Sequence, residues 1–302
     1  MTAAAAAIAT HLYRSPLLGS PRMVRVKAGE IRVFDRGSGP AVVFAHGWLG
    51  NANLWRKVVD RLAAGHRCIA LDLPLGAHGT PVDPDADLTP PGVGSIIIDA
   101  IEALGLKDVT LVGNDSGGAY SQIGVAARPE RIARLVLASC ETPDDTFPPP
   151  LFANLPKAAQ SVDFLKSAMQ GLRTREGRMQ PIAFGKLIKH PIDDMVFDAY
   201  ALPAIEDDRI LHDVAKAMRS ASETHTRKAA EILNRSFIRP VLFAWVADDP
   251  VFPLAHARAY AAKFADARVE LIEDAFSFTA EDQPERLAAL IATFIAETPV
   301  HT

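Results

Sequence analysis

The chain has 302 residues, of which 49% are hydrophobic and 23% are charged. This composition supplies a large apolar core, and the length predicts one large α/β domain or one domain with an insertion. The formal net charge of −4 argues against nucleic acid and against an anionic membrane as a partner. We therefore expect a small-molecule ligand and a chain that acts as a monomer or homodimer.

Several other sequence features bear on the compartment. The longest apolar runs fall short of the roughly 20 residues that a membrane helix requires, and the alanine-rich segment 2–10 lacks the basic residues that begin a signal peptide. Cys68 and Cys140 lie in apolar, strand-like runs, which is typical of buried free thiols in a reducing compartment. These observations predict a cytoplasmic protein. The spacing of Cys and His is not that of a metal site, so we expect neither a metal nor a cofactor.

Strands and helices alternate along the first half of the chain. Residues 24–26 and 31–34 alternate in polarity and predict a β-hairpin at a sheet edge, and residues 1–21 before it are interpreted as an N-terminal tail. Further along, continuous apolar runs predict strands at 41–45, 67–71, 108–112 and 135–138. Helices are expected between them, at about 52–64, 90–104 and 116–127. This order predicts a doubly wound, mostly parallel sheet.

The alternation stops between residues 142 and 236, where helical patterns follow one another without a convincing strand. Buried strands resume at 241–246 and 269–272, with helices at about 254–264 and 284–296. The sequence thus predicts a core formed by residues 22–141 and 237–302. Residues 142–236 are interpreted as a helical lid, or cap, above the carboxyl ends of the strands, where such sheets place their sites.

The motif Gly113-Asn114-Asp115-Ser116-Gly117 lies between a predicted strand and a predicted helix. It has the form Gly-x-nucleophile-x-Gly, a tight turn that projects its central side chain above the sheet. The turn forces a strained backbone, and the helix N-terminus beneath it stabilises negative charge. An alternative frame would make Ser116 the central residue. We favour Asp115, because Gly113 then supplies the small first position.

Four further motifs occur in order along the chain: His46-Gly47-Trp48, residues 72–79, residues 245–250, and Asp282-Gln283-Pro284-Glu285. Together with the turn at Asp115, this set resembles the α/β-hydrolase superfamily over residues 22–297. The resemblance implies an α/β-hydrolase fold, an eight-stranded sheet with an inserted helical lid. An Asp at the elbow is similar to the haloalkane dehalogenase and epoxide hydrolase branch, in which the Asp forms an ester that a His-activated water hydrolyses.

The resemblance also implies roles for residues near the elbow. Backbone N–H groups of Ser116 and Trp48 are expected to form an oxyanion hole. His46 corresponds to the His of the family's His-Gly dipeptide, which holds the loop. The Trp48 side chain is expected either to line the pocket and offer its indole N–H to a leaving group, or only to pack against the lid. For the acid that orients the base, Asp249 is the best positional match, with Asp248 and Glu141 as alternatives.

The final motif departs from the family. Where relatives carry Asp-Ala-Gly-His, this chain reads Asp274-Ala275-Phe276-Ser277, so Ser277 occupies the position of the catalytic His. A serine hydroxyl is not a useful base at neutral pH. A His from elsewhere is one replacement, with His46, His78 and His225 as candidates. Among these, His78 is the most interesting because its loop is expected to face the site.

These observations support three functional hypotheses. The first is a hydrolase that uses Asp115 and a non-standard base on a small or medium apolar substrate of epoxide, halide or ester type. The second is a cofactor-free lyase, isomerase or cyclase in which Asp115 is itself the general acid or base, since a buried carboxylate with a raised pKa suits that chemistry. The third is a ligand-binding protein that has lost catalysis.

Overall fold

The structure is a computed structural model that describes residues 9–299. Most of the alanine-rich segment, residues 1–8, and the C-terminal residues 300–302 lie outside the described part of the chain. The predicted N-terminal tail is therefore seen only from Ala9 onward.

Eight strands form one sheet in the order β1-β2-β4-β3-β5-β6-β7-β8. The strands β1 and β2 join the sheet in antiparallel fashion, and all later neighbours are parallel. This confirms the predicted mostly parallel eight-stranded sheet. The strands are β1 (Ser20–Val26), β2 (Gly29–Arg36), β3 (Ala41–Ala45), β4 (Arg67–Asp72), β5 (Val109–Asn114), β6 (Ile132–Ala138), β7 (Val241–Val246) and β8 (Ala267–Ile272).

The continuous apolar runs of the sequence form the central strands of the sheet. Every residue of β3, β5 and β7 is buried, because helices cover both faces of a parallel sheet. The strand before the elbow is longer than predicted: β5 continues to Asn114 and delivers the chain directly to Asp115. Residues 52–64 were predicted as one helix, but a 3-10 turn at Ala52–Trp55 precedes the α-helix.

Helices connect the strands of the core. The helix α1 packs against α13, whereas α2 packs against α3. Thr89 caps α2 by accepting a hydrogen bond from the N–H of Gly92, with Pro90 as the first helical residue, as its sequence predicts. These helices are α1 (Arg56–Leu62), α2 (Pro90–Ala103), α3 (Ser116–Ala127), α11 (Leu254–Ala261), α12 (Thr279–Asp282) and α13 (Pro284–Glu297).

The chain between β6 and β7 forms a helical insertion, the name used below for residues 139–240. Seven α-helices lie within it, and α10 packs against α3 of the core. The helices are α4 (Leu155–Ala158), α5 (Val162–Met169), α6 (Arg175–Arg178), α7 (Asp194–Ala201), α8 (Pro203–Glu206), α9 (Asp208–Arg219) and α10 (Glu223–Ser236). Short 3-10 helices occur at Thr10–Leu12, Pro16–Leu18, Ala52–Trp55, Pro150–Phe152 and Gln170–Arg173.

The described residues before β1 pack against the core. The guanidinium of Arg14 donates to both carboxylate oxygens of Asp72, at 3.1 and 2.9 Å, and to the carbonyl of Ala77 at 2.7 Å. The N–H of Ser15 donates to the side chain of Asn53 at 2.8 Å. The buried ion pair between Arg14 and Asp72 holds this segment against the core. The first strand, β1, begins at Ser20 and so lies partly within the predicted tail, residues 1–21.

Within residues 9–299, no helix has both the length and the apolar character needed to cross a membrane. Cys68 and Cys140 are both buried free thiols, as predicted. Burial raises the pKa of the Cys68 thiol to about 12, so this side chain behaves as a small apolar residue.

Candidate functional site

Asp115 lies at the turn between β5 and α3. Its φ is 52° and its ψ is −145°, a conformation that costs a non-glycine residue free energy and persists only when the surroundings enforce it. The N–H of Asp115 donates to the carbonyl of Ser139 at 3.0 Å, and its own carbonyl accepts from the N–H of Gly118 at 2.8 Å. The strained position is therefore Asp115, and Ser116 is the first residue of the helix.

The glycines around Asp115 have no room for side chains. A Cβ atom at Gly113 would lie 2.6 Å from the Cα of Gly118, and one at Gly117 would lie 2.5 Å from the carbonyl oxygens of Ala45 and His46. The atoms that an added Cβ would meet belong to the backbone, and they cannot move without separating α3 from the sheet. The spacing of glycines in the sequence thus reflects the close approach of β5, α3 and the loop after β3.

The carboxylate of Asp115 is buried, with 7% of the residue exposed. It lies against Gly47, where a Cβ atom would come within 2.0 Å of Oδ2. The pKa of Asp115 is raised to about 7, because burial and the nearby charge of Asp249 outweigh the hydrogen bonds from the N–H and hydroxyl of Ser116, which lower it. Asp115 is consequently close to half ionised at neutral pH.

This raised pKa predicts a pH-dependent stability. The pKa of Asp115 is higher in the folded state than its ordinary value of 3.8, so the folded state loses stability as pH rises from about 4 to about 7. The variant Asp115→Asn cannot ionise. We expect it to unfold at a higher temperature than the unmodified protein at pH 8, and the difference to vanish near pH 4.

Thermal unfolding of both proteins followed by circular dichroism at the two pH values measures this effect. The exposed Asp85 provides the matched control, because Asp85→Asn removes a carboxylate that is already solvated. An increase in unfolding temperature at pH 8 that is equal for both variants would contradict burial as the cause of the raised pKa.

A cavity of about 330 Å³ lies above Asp115. Its floor comes from the loop after β3, the elbow and Glu141 in the loop after β6, and its walls come from the rest of the helical insertion. Most of the lining is apolar, with side chains such as Phe152, Leu165 and Phe184. The described lining includes these residues with polar groups in their side chains: Trp48, Asp115, Ser116, Glu141 and Gln180.

Glu141 is the second carboxyl group in this cavity. It follows β6, only 1% of it is exposed, and its Oε2 atom has no hydrogen-bond partner within the described part of the chain. Burial raises the pKa of Glu141 well above its ordinary value, and the negative charges of Asp115 and Asp145 act in the same direction. Both effects favour the protonated form of Glu141, which lines the same cavity as Asp115.

Trp48 lines the cavity, but its two N–H groups are already used. The backbone N–H donates to the hydroxyl of Ser116 at 2.9 Å, and the indole N–H donates to the hydroxyl of Tyr120 at 2.8 Å. Phe147 stacks on the indole with the ring centroids 5.7 Å apart. The indole N–H is thus directed to Tyr120, not to a leaving group in the cavity.

Tyr120 contacts the site although no sequence motif indicates it. The helical spacing could have indicated it, because Tyr120 lies four residues after Ser116 and therefore on the same face of α3. What the sequence could not show is that its hydroxyl is the acceptor for Trp48, 72 residues earlier in the chain.

Asp249, which is partly buried, and Ser277, which is buried, form a hydrogen-bonded pair beside the elbow. The hydroxyl of Ser277 donates to Oδ1 of Asp249 at 2.8 Å, and the same oxygen accepts from the N–H groups of Val251 and Phe252 at 2.9 and 3.0 Å. Asn114 donates to the carbonyl of Ser277 at 2.7 Å. The structure therefore brings Asp249, and not the exposed Asp248, into contact with Ser277. Neither member of the pair is among the described residues that line the cavity.

The predicted histidines have other partners. In His46, Nδ1 donates to the carbonyl of Gly47 at 2.9 Å, and Nε2 accepts from the N–H of Leu73 at 2.9 Å. Burial lowers the pKa of His46 to about 4, so the ring is neutral and holds two loops together. A role for His46 as the base that activates water does not agree with this geometry, because both ring nitrogens are occupied by the backbone.

His78 is buried at the boundary between the core and the helical insertion. Its Nε2 lies 3.1 Å from Oδ2 of Asp213 on α9, and its Nδ1 accepts from the N–H of Gly76 at 3.3 Å. The expectation that His78 faces the site is therefore wrong for the described lining of the cavity. His225 lies on α10 and is likewise outside that lining.

Comparisons with known proteins give a family match and several more distant similarities. The sequence profile of the alpha/beta hydrolase fold family matches residues 40–284. An uncharacterized protein of Mycobacterium tuberculosis is 27% identical over 277 residues, which is 87% of this chain and 77% of that protein. An epoxide hydrolase of Caballeronia sordidicola is 34% identical over 104 residues, which is 34% of this chain and 31% of that protein.

Among solved structures, a haloalkane dehalogenase of Agrobacterium tumefaciens C58 has the same fold. The TM-score is 0.77 at 20% sequence identity, with 95% of this chain and 100% of the other covered. The family model matches more than half of the chain, residues 40–284, and this match shows that the chain belongs to the alpha/beta hydrolase fold family.

Proposed function

We propose that this protein is a hydrolase that acts on a small or medium apolar organic substrate through Asp115. The observation that carries the proposal is the buried carboxylate of Asp115, held in a strained turn at the floor of an apolar cavity of about 330 Å³. A carboxylate without a cationic partner is costly to bury, and such a cost is typical of a functional group. Relatives named epoxide hydrolase and haloalkane dehalogenase support the substrate classes of epoxide and halide, with esters as a third.

In the proposed reaction, an oxygen of the Asp115 carboxylate attacks an electrophilic carbon of the substrate and forms an ester. The strained turn fixes the direction of that oxygen, so little conformational freedom is lost on the way to the transition state. The N–H of Ser116, at the start of α3, stabilises negative charge on the carboxylate and on the ester carbonyl during its later hydrolysis. The apolar walls exclude water until the ester has formed.

The other residues take supporting roles in this proposal. Residues 142–236 act as a cap whose apolar side chains select the substrate. The backbone N–H of Trp48, which now meets the hydroxyl of Ser116, completes the oxyanion hole once that hydroxyl rotates away. Asp249 and Ser277 hold the end of the last loop beside Asp115, and Ser277 takes the position of the family's imidazole, so the base that hydrolyses the ester is a non-standard group.

A second candidate function is favoured by the pKa of Asp115 and by the composition of the cavity. The pKa is about 7, and no histidine occurs among the described residues that line the cavity. A carboxylate with this pKa is a suitable general base at neutral pH. Asp115 would then move a proton in an elimination, isomerisation or cyclisation and would form no ester.

The two candidates differ in whether a covalent bond to Asp115 forms. Incubation with panels of epoxides, alkyl bromides and aryl esters, followed by product analysis and by intact mass of the protein, distinguishes them. Hydrolysis products, or a mass increase by one substrate-derived group on the peptide that contains Asp115, support the hydrolase. Unchanged protein and unchanged panels, with a proton-transfer activity that Asp115→Asn abolishes, support the second candidate.

A further inference from the structure

Glu141 has properties that the proposed attack by Asp115 does not use. It follows β6 and enters the cavity beside the elbow, with 1% of its surface exposed. One carboxyl oxygen, Oε2, has no hydrogen-bond partner within residues 9–299. A buried carboxyl oxygen without a partner is costly, and the residue that carries it is among those that line the cavity in which the substrate is proposed to bind.

We propose that Glu141 is the catalytic acid and then the catalytic base of this site, and that the substrate class it serves is an epoxide. This inference rests on the proposed function, because it supplies the proton transfers that follow from an attack by Asp115. It assigns to a carboxyl group the task for which His46 and His78 are unsuited, since their ring nitrogens are engaged elsewhere.

In the first step, an oxygen of ionised Asp115 attacks one carbon of the epoxide ring. The bond between that carbon and the ring oxygen breaks, and the ring oxygen takes the proton of the Glu141 carboxyl group. The products are a hydroxyalkyl ester of Asp115 and an ionised Glu141. Acid assistance lowers the barrier because the leaving oxygen departs as a neutral hydroxyl group, not as an alkoxide.

In the second step, the Glu141 carboxylate that the first step produced acts as the base. A water molecule gives a proton to the Glu141 carboxylate while its oxygen adds to the carbonyl carbon of the Asp115 ester. The tetrahedral intermediate expels the alkoxide, which takes the proton of the newly formed Asp115 carboxylic acid. The diol leaves, Asp115 is ionised and Glu141 is protonated, so both groups return to their starting states.

The protonation states agree with this sequence of events. Burial, together with the charges of Asp115 and Asp145, keeps the pKa of Glu141 well above its ordinary value, whereas Asp115 ionises at about 7. Two interacting carboxyl groups with raised pKa values hold proton and negative charge between them, so that one provides the nucleophile and the other the proton donor in the same cavity. The same carboxyl group serves as base after acid, because loss of its proton in the first step leaves a carboxylate whose burial favours taking a proton back.

The same arrangement is unfavourable for alkyl halides. A departing halide takes no proton, so Glu141 remains protonated and unable to activate water. The indole N–H of Trp48 is used by Tyr120 at 2.8 Å, so it does not stabilise a halide ion in the cavity. We therefore expect an alkyl bromide to alkylate Asp115 and the reaction to stop at the ester.

The test compares Glu141→Gln with the unmodified protein on two probes, styrene oxide and n-butyl bromide. Glutamine keeps the size of the side chain but cannot transfer a proton, so we expect turnover of styrene oxide to fall by about 10²- to 10⁴-fold. Formation of the butyl ester on Asp115, followed by intact mass, is expected to persist in this variant. The matched control is Glu130→Gln, in the exposed turn that precedes β6, which should leave both readouts unchanged.

Glu141→Leu is a second variant that keeps the position filled without a buried polar group, and it should show the same loss. Undiminished hydrolysis of styrene oxide by Glu141→Gln would overturn the assignment of Glu141. Repeated turnover of n-butyl bromide to butanol by the unmodified protein would reveal another base and would also overturn it, while the proposed role of Asp115 would stand. If Asp115→Asn still hydrolyses the epoxide or still forms the butyl adduct, the proposed function itself fails.

Discussion

Replacing Asp115 by Asn is expected to lower turnover through this site by a factor on the order of 10⁴ or more. The amide has nearly the shape of the carboxylate, so the strained turn and the contact with Gly47 are retained. It is a poor nucleophile and a negligible base, so neither covalent attack nor proton abstraction remains. Initial rates of styrene oxide hydrolysis, with the diol measured by chromatography, provide the measurement.

The control for this prediction is Asp85→Asn, which makes the same chemical change at an exposed position and should leave the rate unchanged. Circular dichroism establishes that both variants are folded. A rate for Asp115→Asn within about tenfold of the unmodified protein would remove Asp115 from the mechanism, because a loss that small is typical of an altered binding contact and not of a missing nucleophile.

The second large effect is expected on stability. Gly113→Ala places a Cβ atom 2.6 Å from the Cα of Gly118 and 2.8 Å from the carbonyl oxygen of Gly117. Those atoms belong to the first turn of α3, which cannot retreat without losing its packing on β5. We expect the free energy of unfolding to fall by about 3 kcal/mol, the upper part of the usual range for overpacking, because the atoms in the way belong to the backbone.

Gly65→Ala is the matched control, because a Cβ atom there meets nothing within 4 Å. We expect its stability to be unchanged or slightly increased, as alanine reduces the freedom of the unfolded chain. Urea unfolding of the three proteins, followed by tryptophan fluorescence, measures the difference. Equal midpoints for Gly113→Ala and Gly65→Ala would show that α3 and β5 are not packed as closely as described.

The fold and the elbow could be predicted because their signals are local. Continuous apolar runs predict buried parallel strands, and the carboxyl ends of those strands meet at one edge of the sheet. The loops that follow β3, β5 and β6 therefore had to converge, and they bring Trp48, Asp115 and Glu141 to one cavity. The glycines at 113 and 117 similarly predict a close approach of backbone, which the structure shows.

The hydrogen-bond partners at the site could not be predicted, because they come from distant parts of the sequence. His78 was expected to face the site, but its partner Asp213 lies 135 residues later, in the helical insertion. The carboxylate of Asp249 likewise accepts a hydrogen bond from the hydroxyl of Ser277, 28 residues away. Pairings of this kind depend on how the insertion and the last loop pack, and neither has a short-range signal in the sequence.

The central claim is that the Asp115 carboxylate forms a bond to carbon. A single turnover of styrene oxide in water enriched in the heavy oxygen isotope, with the protein in excess, tests it most directly. Hydrolysis of an Asp115 ester at its carbonyl carbon leaves the heavy oxygen in the Asp115 side chain, so the peptide that contains residue 115 should gain the label and the first diol released should lack it. Label found only in the diol would mean that water attacks the substrate itself, and it would contradict the account.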